Sequence, residues 1–180
     1  MQDRGNRRGQ LAVVKIVVVA VAAVLCAGFV MAQSSQPPAP PPAANLNQLM
    51  RGLFFPHSNV VFATQRLNPA EIQRASEPSA ATDPLTGIFG GWDAVENSAL
   101  LITDGADLLM TPGRTCSNGR AVPLTAPDWA KFVDQLREAG KVAYQAAKSK
   151  NMDKMFDASD VLNTACANCH NKYRRATRCQ

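Results

Sequence analysis

The sequence predicts an all-α protein, folded as an antiparallel up-down-up-down four-helix bundle that carries a single covalently bound group. Three observations lead there. Aliphatic residues and alanine are abundant while aromatic residues make up only 6% of the chain. From Leu85 onward the apolar positions recur mostly at steps of three and four, the period of one helix face. Near the end of the last helical stretch stands a tight cluster of two cysteines and a histidine. With 180 residues, the chain holds one domain of ordinary size once its first thirty or so residues are set aside.

Those first residues read as a targeting segment. Met1 to Gln10 is basic, and 11–32 is almost wholly apolar apart from Lys15, the pattern of an export signal. Val30-Met31-Ala32 offers small residues at the positions a signal peptidase needs and would leave Gln33 as the new N-terminus. Ile16 to Ala32 is also 17 residues without a charge, the lower limit for spanning a bilayer. Residues 1–32 are therefore either a cleaved signal peptide or an uncleaved membrane anchor. Either version delivers the domain outside the cytoplasm, to the periplasm, because the basic flank stays inside. Cys26 follows Leu25 rather than the Gly or Ala that precedes a lipid-bearing cysteine, and Arg7-Arg8 lacks a fuller twin-arginine motif. Residues 33–44, QSSQPPAPPPAA, cannot build a packed core and form a Pro-rich linker. A spacer of that kind suits a tethered domain.

The folded domain is expected over 45–180. Its first helix, about 45–67, carries Leu46, Leu49, Met50, Leu53, Phe54, Val60 and Val61, with a kink or interruption expected at Pro56. The second, about 87–110, has the clearest stripe: Trp92, Val95, Ala99, Ile102, Ala106 and Leu109. A third starts near Thr125 with Pro127 and Asp128 in its first turn and runs to about Lys150 through Trp129, Phe132, Val133, Leu136, Gly140, Ala143 and Ala147. Asn151 can cap the fourth, in which Met155, Ser159, Leu162, Cys166, Cys169 and Tyr173 line one side as far as about Thr177.

Charge narrows the choice of partner. Of the formal +5, the leading segment supplies +3, leaving 15 basic and 13 acidic residues in the remainder. No nucleic-acid partner is expected from so balanced a surface, where only Lys172, Arg174, Arg175 and Arg178 cluster. No constellation suited to hydrolysis or group transfer is present, so the chain is not expected to be an enzyme.

Cys166-Ala167-Asn168-Cys169-His170 is the C-x-x-C-H pattern of c-type haem attachment. On a helix the cysteines at i and i+3 and the histidine at i+4 leave from one face, so both sulfurs can bond one haem edge while the imidazole reaches the iron. A zinc site would need two further ligands, and only His57, Cys116 and Cys179 remain, none with paired spacing. A redox dithiol takes its low thiol pKa from a helix N-terminus, whereas this pair lies about fifteen residues into its helix. A plain disulfide would leave His170 without a role.

The run CANCHNKYRR resembles the haem-binding end of the cytochrome c′ family, the matching residues being Cys166, Cys169, His170, Tyr173 and Arg174. The likeness of helix layout extends loosely over Asn45 to Thr177. The resemblance implies a four-helix bundle with one haem c per chain and His170 as proximal ligand. It also implies one of two behaviours: electron transfer with a Met-ligated six-coordinate iron, or a five-coordinate iron that binds a small gas such as nitric oxide. Relatives often pair as homodimers.

Met50 is the expected distal ligand in the first case. It lies about 8 Å from the start of helix one and His170 about 10 Å from the end of helix four, so an antiparallel arrangement puts the two at similar depth. A core-filling side chain is the plainer reading of Met50. Leu53, Phe54 and Phe55 could instead wall an open distal pocket, and His57, about 10 Å deeper, is a weaker sixth ligand. Tyr173 and Arg174 are expected beside the haem or at a solvated helix end; Trp92 and Trp129 are expected in the core. Cys116 and Cys179 are left over and, in an oxidising compartment, are expected to form a disulfide across the end of the bundle. The function expected is that of a c-type monohaem cytochrome passing single electrons between redox protein partners. The alternatives are a gas-binding haem protein and a tethered haem subunit of a larger oxidoreductase.

Overall fold

The computed structural model describes residues 40–174 and Cys179. The targeting segment, most of the Pro-rich linker and the expected end of the last helix at Thr177 lie outside the described residues. The described part of the 41–180 unit is all-helical, with four long helices in an arrangement compatible with a helical bundle; the one β feature described is an isolated bridge between Thr115 and Ala121.

Helix α1 covers 46–63 in three pieces: α-helical Leu46–Leu49, a π turn Met50–Phe54, and α-helical Phe55–Ala63. Asn45 starts it with a reciprocal cap: its side chain accepts from the Gln48 N–H, and the Gln48 side chain accepts from the Asn45 N–H, both at 2.9 Å. The interruption expected at Pro56 is present, displaced one turn upstream. A proline ring clashes with the carbonyl four residues back and offers it no N–H. The helix answers by widening one turn earlier, where the Phe55 N–H reaches the Met50 carbonyl, and Pro56 then falls in the tolerant first turn of the next α-helical piece.

Residues 64–91 hold only two short 3-10 turns, Pro69–Glu71 and Pro78–Ala80. Helix α2 starts at Trp92 rather than near Gly87, because the chain turns sharply at Gly90 and Gly91. Gly91 has φ +59°, and a Cβ on it would stand 2.9 Å from the Pro69 carbonyl oxygen. Helix α2 spans Trp92–Gly105 and tightens into a 3-10 stretch, Ala106–Met110. Helix α3 is Pro127–Lys148, with Pro127 and Asp128 opening it as expected. Helix α4 is Met152–Tyr173; the Asn151 side chain caps it by accepting from the Lys154 N–H at 2.9 Å.

All six expected stripe residues of α2 are buried, as are Trp129, Val133, Leu136, Ala143 and Ala147 of α3 and Met155, Ser159 and Leu162 of α4. Full burial of a side chain the size of Leu162 or Met155 contributes about 1.5–3 kcal/mol. Helices α2 and α3 meet closely because Gly140 has no side chain: a Cβ there would stand 2.9 Å from the Thr103 nitrogen and 3.2 Å from the Ala99 oxygen. The Trp129 indole N–H donates to the Leu109 carbonyl at 3.2 Å, fixing the start of α3 against the end of α2. At the same end Leu46 N–H donates to Thr115 O at 2.8 Å. The buried Arg114 guanidinium donates there to the Ala44 and Leu108 carbonyls. Cys116 and Cys179 join at this end too, with Cα atoms 5.0 Å apart, the disulfide expected from the sequence. The start of α1, the α2–α3 connection and the end of α4 thus share one end of the molecule.

Candidate haem-attachment site

Helix α4 is regular from Met152 to Tyr173, so Cys166, Cys169 and His170 project from neighbouring positions on one side of its last two turns. All three are half-buried. Burial pushes both thiols up, Cys169 to about 11 with further help from the negative charge of Cys166 and Asp128. That is opposite to the activated thiolate of a redox dithiol. The His170 imidazole is held below its ordinary range, first by burial and then by the Arg174 cation. A neutral imidazole with a free lone pair is what an iron ligand requires. Among the described residues, no group of three or more His, Cys, Asp or Glu side chains gathers to hold a metal ion.

Ser159, fully buried on α4, donates to the Val61 carbonyl of α1 at 3.4 Å and fixes the register of these two antiparallel helices. His170 is eleven residues beyond Ser159. Three turns of helix take 10.8 residues, so His170 lies about 16 Å further on and within roughly 20° of the same azimuth, turned to the α1 side. Eleven residues back from Val61, on α1, stands Met50. The π turn inserts one residue, so the level opposite His170 falls at Leu49 and Met50 together. Leu49 is buried and Met50 half-buried. The close packing between α1 and α4 is concentrated in Phe55–Ala63. Over Met50–Phe54, α1 leans on α2 instead: Leu53 sits against Gly105, and Phe54 Cε1 would lie 3.6 Å from a Cβ there. Phe54 therefore packs onto α2.

Several features fit a flat apolar group in the seam that results. Met50, Leu53, Phe132, Cys166 and Cys169 lie against the core yet are only partly covered by it. Gln135 Oε1 is buried without a hydrogen-bond partner. It lies six residues past Trp129, whose ring stands 4.9 Å from that of Tyr173, so antiparallel α4 brings Ala167 to its level, between the two cysteines. An unpaired buried acceptor is costly by about 1–3 kcal/mol; this one shares only its level along the bundle with the cysteines, and a donor rather than an apolar ring would satisfy it.

The end of α4 is pinned by contacts the sequence did not disclose. Tyr173, buried, donates its hydroxyl to Asp128 at 2.7 Å and places its ring edge-on to Trp129 and Phe132. Lys172 pairs with the same carboxylate. The Lys172 and Tyr173 hydrogen bonds hold the Asp128 carboxyl below the usual carboxylate range. Only the position of Asp128 in the first turn of α3, matched to the last turn of α4, could have suggested this clamp. Arg174 is exposed. His57 is engaged elsewhere: its Nδ1 lies 3.2 Å from Ser98 Oγ, beside an apolar groove of about 490 Å³ lined by Val60, Ile88 and Phe89. Trp92 and Trp129 are buried, as expected.

Comparison with protein-family models, curated proteins and solved structures returned no match. Among the described residues, no helix is long and apolar enough to cross a membrane.

Proposed function

We propose that this chain is a c-type monohaem cytochrome of the cytochrome c′ kind, carrying single electrons between redox proteins outside the cytoplasm. One observation carries the reading: Cys166, Cys169 and His170 lie half-buried on one side of α4, with His170 turned to an α1 stretch that leans away onto α2. Cys166 and Cys169 would hold one haem c through thioethers, His170 would be its proximal ligand, and Met50 the distal one. The bound haem supplies one-electron chemistry at its iron. The residues of the chain fix its position, exclude water from the proximal side and keep His170 neutral. The Asp128 clamp on Lys172 and Tyr173 steadies the helix end from which His170 projects. Export, retention or cleavage of 1–32, and membrane tethering belong to the same proposal, which also keeps the homodimer as an expectation.

Visible absorption and EPR of the ferric protein test it. Low-spin iron, with haem that stays with the polypeptide on denaturation, supports the electron carrier; a protein exported and matured with no covalent haem overturns it.

A second reading has its own observation. Because the π turn brings Leu49 to the level of His170 beside Met50, a leucine can occupy the distal side and leave the iron five-coordinate. The protein would then bind a small gas, and high-spin ferric iron that takes up nitric oxide would decide for it.

A further inference from the structure

We propose that the end of the molecule bearing Cys166, Cys169 and His170 is a docking face for an acidic patch on the redox partner; this deepens the electron-carrier reading and rests on it. The near-neutral total charge hides a polar distribution. Residues at that end, 46–54, 106–135 and 163–174, include six cations, Arg51, Arg114, Arg120, Lys131, Lys172 and Arg174, against three carboxylates. The remaining described residues, 55–105 and 136–162, include seven cations against ten carboxylates. The three carboxylates at the cysteine end are already engaged. Asp128 is held by Lys172, and Asp107 and Asp134 share Arg137. Arg51, Lys131 and Arg174 are exposed, Arg51 adjoins Met50, and Arg174 stands one helical turn beyond His170, its N–H donating to the His170 carbonyl at 3.0 Å.

Such a distribution orients an approaching partner before contact. A carboxylate-rich surface is drawn to the end bearing the cysteines, and the net negative remainder of the domain repels it. The attraction acts over about one Debye length, some 10 Å at 0.1 M salt, so it selects orientation and raises the association rate without needing a large buried area. An anionic protein surface is the partner chemistry this face favours.

The full, haem-loaded protein, reduced beforehand, tests the proposal by stopped flow against two one-electron oxidants. In each, one electron passes from the ferrous haem to the oxidant, giving ferric haem and the reduced complex. With anionic hexacyanoferrate(III) the second-order rate should fall about tenfold as salt rises from about 10 to 300 mM, and with cationic tris(phenanthroline)cobalt(III) it should rise. Arg51→Glu with Lys131→Glu should slow the anionic oxidant about tenfold at low salt and speed the cationic one. Arg66→Glu with Lys154→Glu, at the far end, should change either rate less than twofold. Salt slopes of the same sign for both oxidants, or equal effects from the two double variants, overturn the docking face while leaving the electron carrier standing. Absence of covalent haem overturns both.

Discussion

The α2–α3 seam and the α1–α4 seam are built on opposite plans. In the first, Gly140, Ala99 and Thr103 let two backbones meet until a single methyl would collide, and the Trp129 indole ties the ends together. In the second, the helices approach along Phe55–Ala63 and then separate, leaving sulfur and imidazole side chains half-covered. Small residues close a seam for good. Large, partly covered ones leave a seam less tightly closed, and there the proposed haem would fit. The difference teaches that a site can be recognised by what its neighbouring seam lacks as much as by its ligand residues.

The experiments that break this contrast differ in size. Replacing Cys166 and Cys169 together by alanine should abolish covalent haem, so that denaturing gels stained for haem show none. The closed seam should then remain folded by circular dichroism, though less stable without its cofactor. Removing the disulfide by Cys116→Ser with Cys179→Ser frees a cross-link between residues 63 apart in sequence and should cost about 4 kcal/mol in denaturant titration. Gly140→Ala should lower stability by about 1–3 kcal/mol, since α2 and α3 must move apart, with no change in the spin state of the iron. Met50→Ala should do the reverse: little loss of stability at a half-buried position, and a change from low-spin to high-spin ferric iron by EPR. An unchanged low-spin spectrum would mean that a side chain other than Met50 supplies the sixth ligand, and a parent already high-spin would leave the distal side to Leu49.

Asp128→Asn has the smallest expected effect, and its sign follows from linkage. The Asp128 carboxyl is held below its ordinary value in the folded state, so it contributes stability that is fully present above the unfolded pKa of about 3.9 and is lost as pH falls through the folded value. The variant should therefore be less stable than the parent at pH 7 and converge on it at acid pH. Urea midpoints measured from pH 7 down to 3 would check this, and a gap that widens toward acid would contradict the clamp.

Much of the fold was legible because each helix buries a stripe at helical spacing: the α2 residues Trp92 to Leu109 and the α4 residues Met155 to Leu162 could be read directly. The caps at Asn151 and Pro127-Asp128 were local signals and equally readable. Two things were not. The response of α1 to Pro56 was displaced upstream as a π turn, since a proline disturbs the carbonyl four residues before it. The Asp128 clamp joins residues 45 apart in sequence, and no local pattern encodes such a meeting. The candidate attachment residues came from spacing alone; which α1 side chain lies at their level did not, because one inserted residue rotates every candidate by about 100°.

The disulfide at the cysteine end has a consequence for assembly. Were the chain exported N-terminus first, as proposed, it would deliver Cys116, then Cys166 and Cys169, and only afterwards Cys179. The disulfide partner of Cys116 would thus be the last of these four thiols to arrive, after Cys166 and Cys169, which have to stay unpaired if they take haem as proposed. With three pairings open to four cysteines, the order of synthesis favours the wrong ones. Under the proposed function, maturation would therefore become a contest between oxidation and cofactor loading, in which thiol exchange or protection of Cys166 and Cys169 would set the yield of correctly cross-linked protein.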